Sequence, residues 1–258
     1  MYLDFLFFSP LEQFEILPLI SFYLGIIDFS ITNETIVLLL IFIIFGIMFL
    51  GFVKQKDSTL FIIPHRWQII IELLYKTVFS LIVDNIGLVK GQFFFPLIFS
   101  IFLFTITLNA LGLIPYTFTL TSHLIVTLTL SFFLFLGINI ICIQTHGLKF
   151  FSLFLPSGAS VVLSLLLVPI ELLSYIFKPI SLSIRLFANM MAGHTLLKVI
   201  VGFAWNLLSC TGILYIVSLV PLLILIPLFG LELGVAVIQG FVFSILICIY
   251  INDALHLH

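Results

Sequence analysis

SLSIRLFANMMAGH, Ser181 to His194, lies within a run from Val161 to Phe203 that is apolar enough for a lipid bilayer yet carries Glu171, Lys178, Arg185, Asn189, His194 and Lys198. An ionisable side chain at membrane depth is costly, roughly 2.5–3.5 kcal/mol for a central arginine, and such residues tend to mark ion pathways. At about 100° per residue, Glu171, Lys178, Arg185 and Ala192 follow one another at seven-residue steps along one helix face. His194, nine residues past Arg185, turns to the opposite face. Ser181, Ala188 and Ala192 flank the arginine on its own side, and small side chains let a neighbouring helix approach closely. No carboxylate stands three or four residues from Arg185, so its partner comes from another helix or another protein. A structural pairing with Glu232 is one such option.

The rest of the chain fits the same medium. It has 258 residues, 63% hydrophobic and 8% charged, with a mean hydropathy of +1.41. Soluble domains carry about 25% charged residues. A net charge of −2 without a basic cluster excludes an electrostatic nucleic-acid surface. Cys142, Cys210 and Cys248 are far apart in apolar runs and have no metal-ligand spacing. No glycine-rich phosphate loop is present, so no bound nucleotide, cofactor or metal is expected. The opening MYLDFLFFSPLEQFE lacks the basic region of a signal peptide and is not an Arg-rich transit peptide. That pattern fits synthesis in the compartment whose membrane the protein enters.

The expected fold is an all-α polytopic membrane protein forming one membrane domain over 1–258. Residues 1–33 read as a polar-to-apolar leader into the first span, 34–53, whose length suits a bilayer core of ~30 Å. Five of the nine basic residues then fall between Lys54 and Lys90, which places that segment on the matrix side (cytoplasmic in a bacterium). Within it, residues 60–86 read as an amphipathic surface helix with Trp67 and Tyr75 at headgroup level. The competing reading, a sixth span, would put Glu72 and Lys76 mid-bilayer. Spans follow at 93–114 and 123–143, with a turn at Pro115 and Tyr116 and a broken connection from Gln144 to Gly158. The stretches 161–205 and 211–252 are too long for upright spans. Each either folds back or inclines steeply. The lack of a charged turn favours two tilted helices, joined near Asn206 to Gly212 and kinked at Pro169, Pro179, Pro221 or Pro227.

SLSIRLFANMMAGHTL resembles the signature of subunit a of the F-type ATP synthase in its mitochondrial form. Glu171 and Asn189 hold the family's register about Arg185, and Glu232 and Gln239 sit seven apart in the last hydrophobic stretch. SPLEQFEILPLI and TLNALGLIPYTFTLTSHL also read as family segments, so the resemblance covers nearly the whole chain. It implies two long inclined helices beside a rotor ring of c subunits, with peripheral-stalk subunit b and other membrane-sector subunits as partners. It also implies a multi-pass protein of the mitochondrial inner membrane, with its N-terminus on the intermembrane side and its C-terminus in the matrix. No catalytic chemistry is expected in this chain itself.

The residues implied in proton translocation are Arg185, Glu171, Asn189, His194, Glu232, Gln239 and Asp253. A guanidinium does not release its proton at physiological pH, so Arg185 is a fixed charge that favours the ionised form of a facing carboxylate. The resemblance implies that this carboxylate belongs to the rotor and that Arg185 separates two half-paths. Glu171 comes early on a helix starting at the matrix side and belongs to the matrix path, with Asp253 at the same end. Asp253 reads equally as a helix-end cap, and Lys178 and Lys198 read as snorkelling side chains. His194 lies ~13 Å nearer the intermembrane side, where it is expected to pair with Glu232. That pairing requires an axial offset or kink. A proton-coupled secondary transporter would also carry intramembrane Arg, Glu and His, but would show repeated halves, and none is found. A purely structural assembly subunit would leave the charged heptads unexplained.

Overall fold

The computed structural model describes residues 11–24, 27–53, 66–114, 117–147, 150, 161–209, 215 and 217–255. Six long helices carry the fold: α1 (Asn33–Val53), α2 (Arg66–Ile86), α3 (Leu88–Gly112), α4 (Leu124–His146), α5 (Val161–Ser209) and α6 (Leu219–Leu255). The protein is an all-α polytopic membrane protein. Among the described residues, α3, α4, the Leu166–Ser209 part of α5, and α6 are long and apolar enough to cross a bilayer, and Asn33–Ile47 forms a shorter apolar stretch. Their large apolar side chains are widely exposed, Phe42, Phe93, Phe133 and Ile226 among them, as a hydrocarbon surround requires.

The two long stretches are each one helix. At ~1.5 Å per residue, the 49 residues of α5 measure ~73 Å and the 37 of α6 ~55 Å, against a hydrocarbon core of ~30 Å. Pro169, Pro179 and Pro227 lie inside them. Pro221 does not: it stands in the first turn of α6, where the missing N–H has no helical partner to lose. α6 begins at Leu219 rather than 211. The expected turn at 206–212 is helical through Ser209, and its remainder lies outside the described residues. So do Pro115 and Tyr116, most of the 144–158 connection, Lys54, Lys56, Lys149, His256, His258 and the Trp67 side chain.

Residues ahead of α1 are more structured than a leader. β1 (Pro18–Ile20) pairs antiparallel with β4 (Ile31–Thr32), and β2 (Tyr23–Leu24) with β3 (Ile27–Asp28). Asn33 ties this segment to the start of α1: its Nδ2 donates to the Glu15 carbonyl at 3.1 Å and its Oδ1 accepts from the Leu17 amide at 3.3 Å. The sequence offered only short β-prone runs here, which tertiary pairing decides.

The contacts fall into two units. One comprises Met1–Thr59, Ile106–His123 and Phe187–Gln239; the other comprises Leu60–Thr105, Leu124–Leu186 and Gly240–His258. In the second unit, α2 buries Val78, Leu81, Ile82 and Ile86 and leaves Ile69, Ile70 and Leu73 exposed. The polar side chains Glu72 and Lys76 pair at 3.0 Å along the same helix. Gly87, at φ +91°, closes α2 and lets α3 begin at once. Gly91 fits only because it lacks a side chain: a Cβ there would stand 2.5 Å from the Ile82 Cγ2.

Candidate functional site

The first unit gathers polar side chains that an apolar helix pair cannot solvate. α6 buries Glu232, Ala236 and Gln239 at three- and four-residue steps, so its inward stripe is interrupted by a carboxylate and an amide. Glu232 is only 5% exposed, and its Oε1 lies 3.7 Å from the His194 Nε2 on α5. The axial mismatch foreseen from the sequence is therefore taken up in the fold. Gly193 makes the approach possible. A Cβ at 193 would stand 2.6 Å from Oε1 and 2.9 Å from Cδ of Glu232, so the carboxylate lies against bare backbone. The His194 ring is met edge-on by the buried Phe14, with centroids 6.5 Å apart.

One heptad along α6, Gln239 Oε1 accepts a hydrogen bond from Asn189 Nδ2 at 3.0 Å. Asn109 Nδ2 on α3 donates to the carbonyl of Ala236 at 3.2 Å, between the two polar positions of α6. Asn109 is thus an interhelical hydrogen-bonding residue. Several buried atoms of the first unit have no hydrogen-bond partner within the described residues: both Glu232 oxygens, His194 Nε2, Gln239 Nε2, Asn109 Oδ1, Thr121 Oγ1 and His123 Nε2. Buried polar atoms left unpaired cost ~1–3 kcal/mol each, so such a line has the chemistry to hold water or pass protons.

Arg185 belongs to the second unit and is exposed. Ser181 in the same unit is exposed too, and in the first unit's part of α5 so are Ala188, Asn189 and Ala192. Among the described residues no carboxylate lies within 4.0 Å of Arg185, and the pairing with Glu232 considered above is replaced by Glu232–His194. Glu171 is half-buried on the same unit's part of α5. Asp253, near the end of α6, does more than cap a helix: its Oδ2 lies 3.2 Å from the Lys178 Nζ. Lys178 was read as snorkelling, and its role as the partner of Asp253 was missed. The available signal was its heptad position between Glu171 and Arg185.

The fold and this polar line define a multi-span α-helical membrane protein with ionisable groups built into its interior. The sequence profile of the family described as "ATP synthase A chain" matches residues 35–252. The chain belongs to that family, whose members are subunits of the membrane sector of the F-type ATP synthase. It is 49% identical to ATP synthase subunit a of Chondrus crispus over 97% of each chain. It is 51% identical to that of Pylaiella littoralis, covering 98% of this chain and 100% of the relative. The subunit of Marchantia polymorpha is 50% identical, covering 97% of this chain and 99% of its own.

Proposed function

We propose that this subunit is the proton-conducting stator of the ATP synthase, providing two aqueous half-paths to a rotor ring of c subunits. The single observation that carries the inlet path is the buried Glu232 carboxylate facing the His194 imidazole at 3.7 Å, with both carboxylate oxygens otherwise unpaired among the described residues. A carboxylate and an imidazole this close need only a small side-chain movement or one bridging water to pass a proton between them. Asn189 and Gln239 continue the polar line by their mutual hydrogen bond. Arg185 supports the rotor contact: it is exposed beside the short Ser181 side chain, and its guanidinium has no carboxylate partner among the described residues. Protons then neutralise a rotor carboxylate from the inlet path and leave past Glu171 at the matrix end, where Asp253 also lies. Arg185 blocks a direct leak by its charge. Subunit b and the remaining membrane-sector subunits hold the stator against the ring.

Proton flux in reconstituted vesicles tests this reading. Flux coupled to ATP turnover is expected only when subunit and ring are both present. Equal proton uptake without a ring would identify a transporter instead.

The membrane in this reading is the mitochondrial inner membrane, with the N-terminus on the intermembrane side and the C-terminus in the matrix. The basic residues between Lys54 and Lys90 supply the argument. In a background with the native cysteines replaced, Leu17→Cys should react with an impermeant thiol reagent only from the intermembrane side. Val89→Cys, at a position 87% exposed, should react only from the matrix side. Labelling of both from one side would overturn the orientation.

A further inference from the structure

Lys178 is held from three directions within the second unit. Its Nζ lies 3.2 Å from the Asp253 Oδ2, and 5.4 Å and 5.0 Å from the ring centroids of Tyr175 and Tyr250. The Tyr175 ring is itself fixed. Its hydroxyl donates to the Asn139 Oδ1 on α4, and Phe135 packs on it with centroids 4.8 Å apart. An ammonium facing one carboxylate and two aromatic faces is both neutralised and confined. The arrangement joins α4, α5 and α6 at one level.

The position of this cage gives it a consequence for proton flow. Lys178 lies seven residues after Glu171 and seven before Arg185. Each step is ~10 Å along the helix, on the same face. A free ammonium there would stand between the exit carboxylate and the fixed guanidinium and repel every proton passing Glu171. We propose that Asp253 is not a proton relay but the counter-ion of Lys178, and that the Asp253–Tyr175–Tyr250 cage takes this second cation out of the matrix half-path. The inference rests on the stator reading above, with Glu171 as the exit carboxylate. Lys178 and Asp253 are then positioning residues, acting on the proton through the charge they cancel in each other.

The pair is only partly shielded, its side chains being 30% and 43% exposed. At ~10 Å and an effective dielectric of ~20, one uncompensated charge changes proton occupancy by roughly three- to tenfold after solvent screening.

The experiment measures ATP-driven proton pumping by the whole ATP synthase in inverted inner-membrane vesicles, normalised to subunit content. Asp253→Asn, which frees the cation, should lower pumping roughly three- to tenfold. Adding Lys178→Met should restore most of it, and Lys178→Arg alone should retain the original rate. A relay at Asp253 predicts the opposite for the double variant, which would stay as low as Asp253→Asn. That result overturns the proposal, as does normal pumping by Asp253→Asn alone. Should Asp253→Asn fail to assemble, the double variant decides: assembly and pumping are expected of it, and loss of either overturns the counter-ion role. Arg185→Ala run alongside separates the two levels. Continued coupling there defeats the stator reading itself, whereas a dead Arg185→Ala beside an unaffected Asp253→Asn removes only the inference.

Discussion

Replacing Arg185 with Ala is expected to abolish ATP-coupled proton pumping while leaving the subunit assembled. The side chain is exposed on α5 and forms no ion pair among the described residues, so its loss empties no core and strands no buried partner. In the proposed mechanism, what disappears is a permanent positive charge facing a rotor carboxylate. Without it the carboxylate has no reason to ionise at the stator, and nothing separates the two half-paths. Passive proton leak through the assembled sector should rise as coupled pumping falls. Arg185→Lys keeps the charge but loses the planar fork and is more strongly hydrated. Losing one charge-assisted hydrogen bond of ~1.5–3 kcal/mol corresponds to roughly ten- to hundredfold in rate, which is the residual activity expected of the lysine variant. Vesicle acidification and ATP turnover, measured together, check both. Normal coupling in an assembled Arg185→Ala complex would remove the arginine from the mechanism.

The second large effect is an exchange within the inlet pair. His194→Glu alone brings a second carboxylate against Glu232, and Glu232→His alone leaves two imidazoles. Each should lower proton-driven ATP synthesis by about tenfold or more, since a matched acid–base pair contributes ~10²–10⁴ in proton transfer. The double exchange restores one carboxylate and one imidazole where the native pair lies 3.7 Å apart and should recover a large part of the loss. Recovery should be incomplete for a steric reason. The Glu232 carboxylate lies against Gly193, where even an added Cβ would come within 2.6 Å of it, and an imidazole ring at 232 is wider. Strictly additive losses would mean that the two residues act independently.

The counter-ion proposed for Lys178 sharpens the division between the two ends of α5. At the proposed inlet, a carboxylate and an imidazole are brought together with spare hydrogen-bonding capacity, which suits proton exchange. At the proposed matrix end, a carboxylate and an ammonium are brought together between aromatic faces, which suits charge cancellation. Both contacts join α5 to α6, and both involve an acid on α6. The partner determines which role the acid takes.

Much of this protein was legible in its sequence. Apolar runs of bilayer length dictate helices, because lipid offers the backbone no hydrogen bonds, and that argument needs no tertiary information. Heptad spacing put Glu171, Lys178 and Arg185 on one face, since helical periodicity is local. Other features rest on contacts between residues distant in the chain, which no local period encodes. Whether His194 reaches Glu232 depends on the axial offset of two helices and on the bare backbone at Gly193. The pairing of β1 with β4 and the reach of Asn33 back to Glu15 and Leu17 also rest on such contacts. Lys178 shows the limit most clearly. Alone on a helix, a lysine is a flexible stem that snorkels to the nearest water. Only the tertiary structure, by placing Asp253 and two tyrosine rings around its ammonium, turns it into a fixed and neutralised charge.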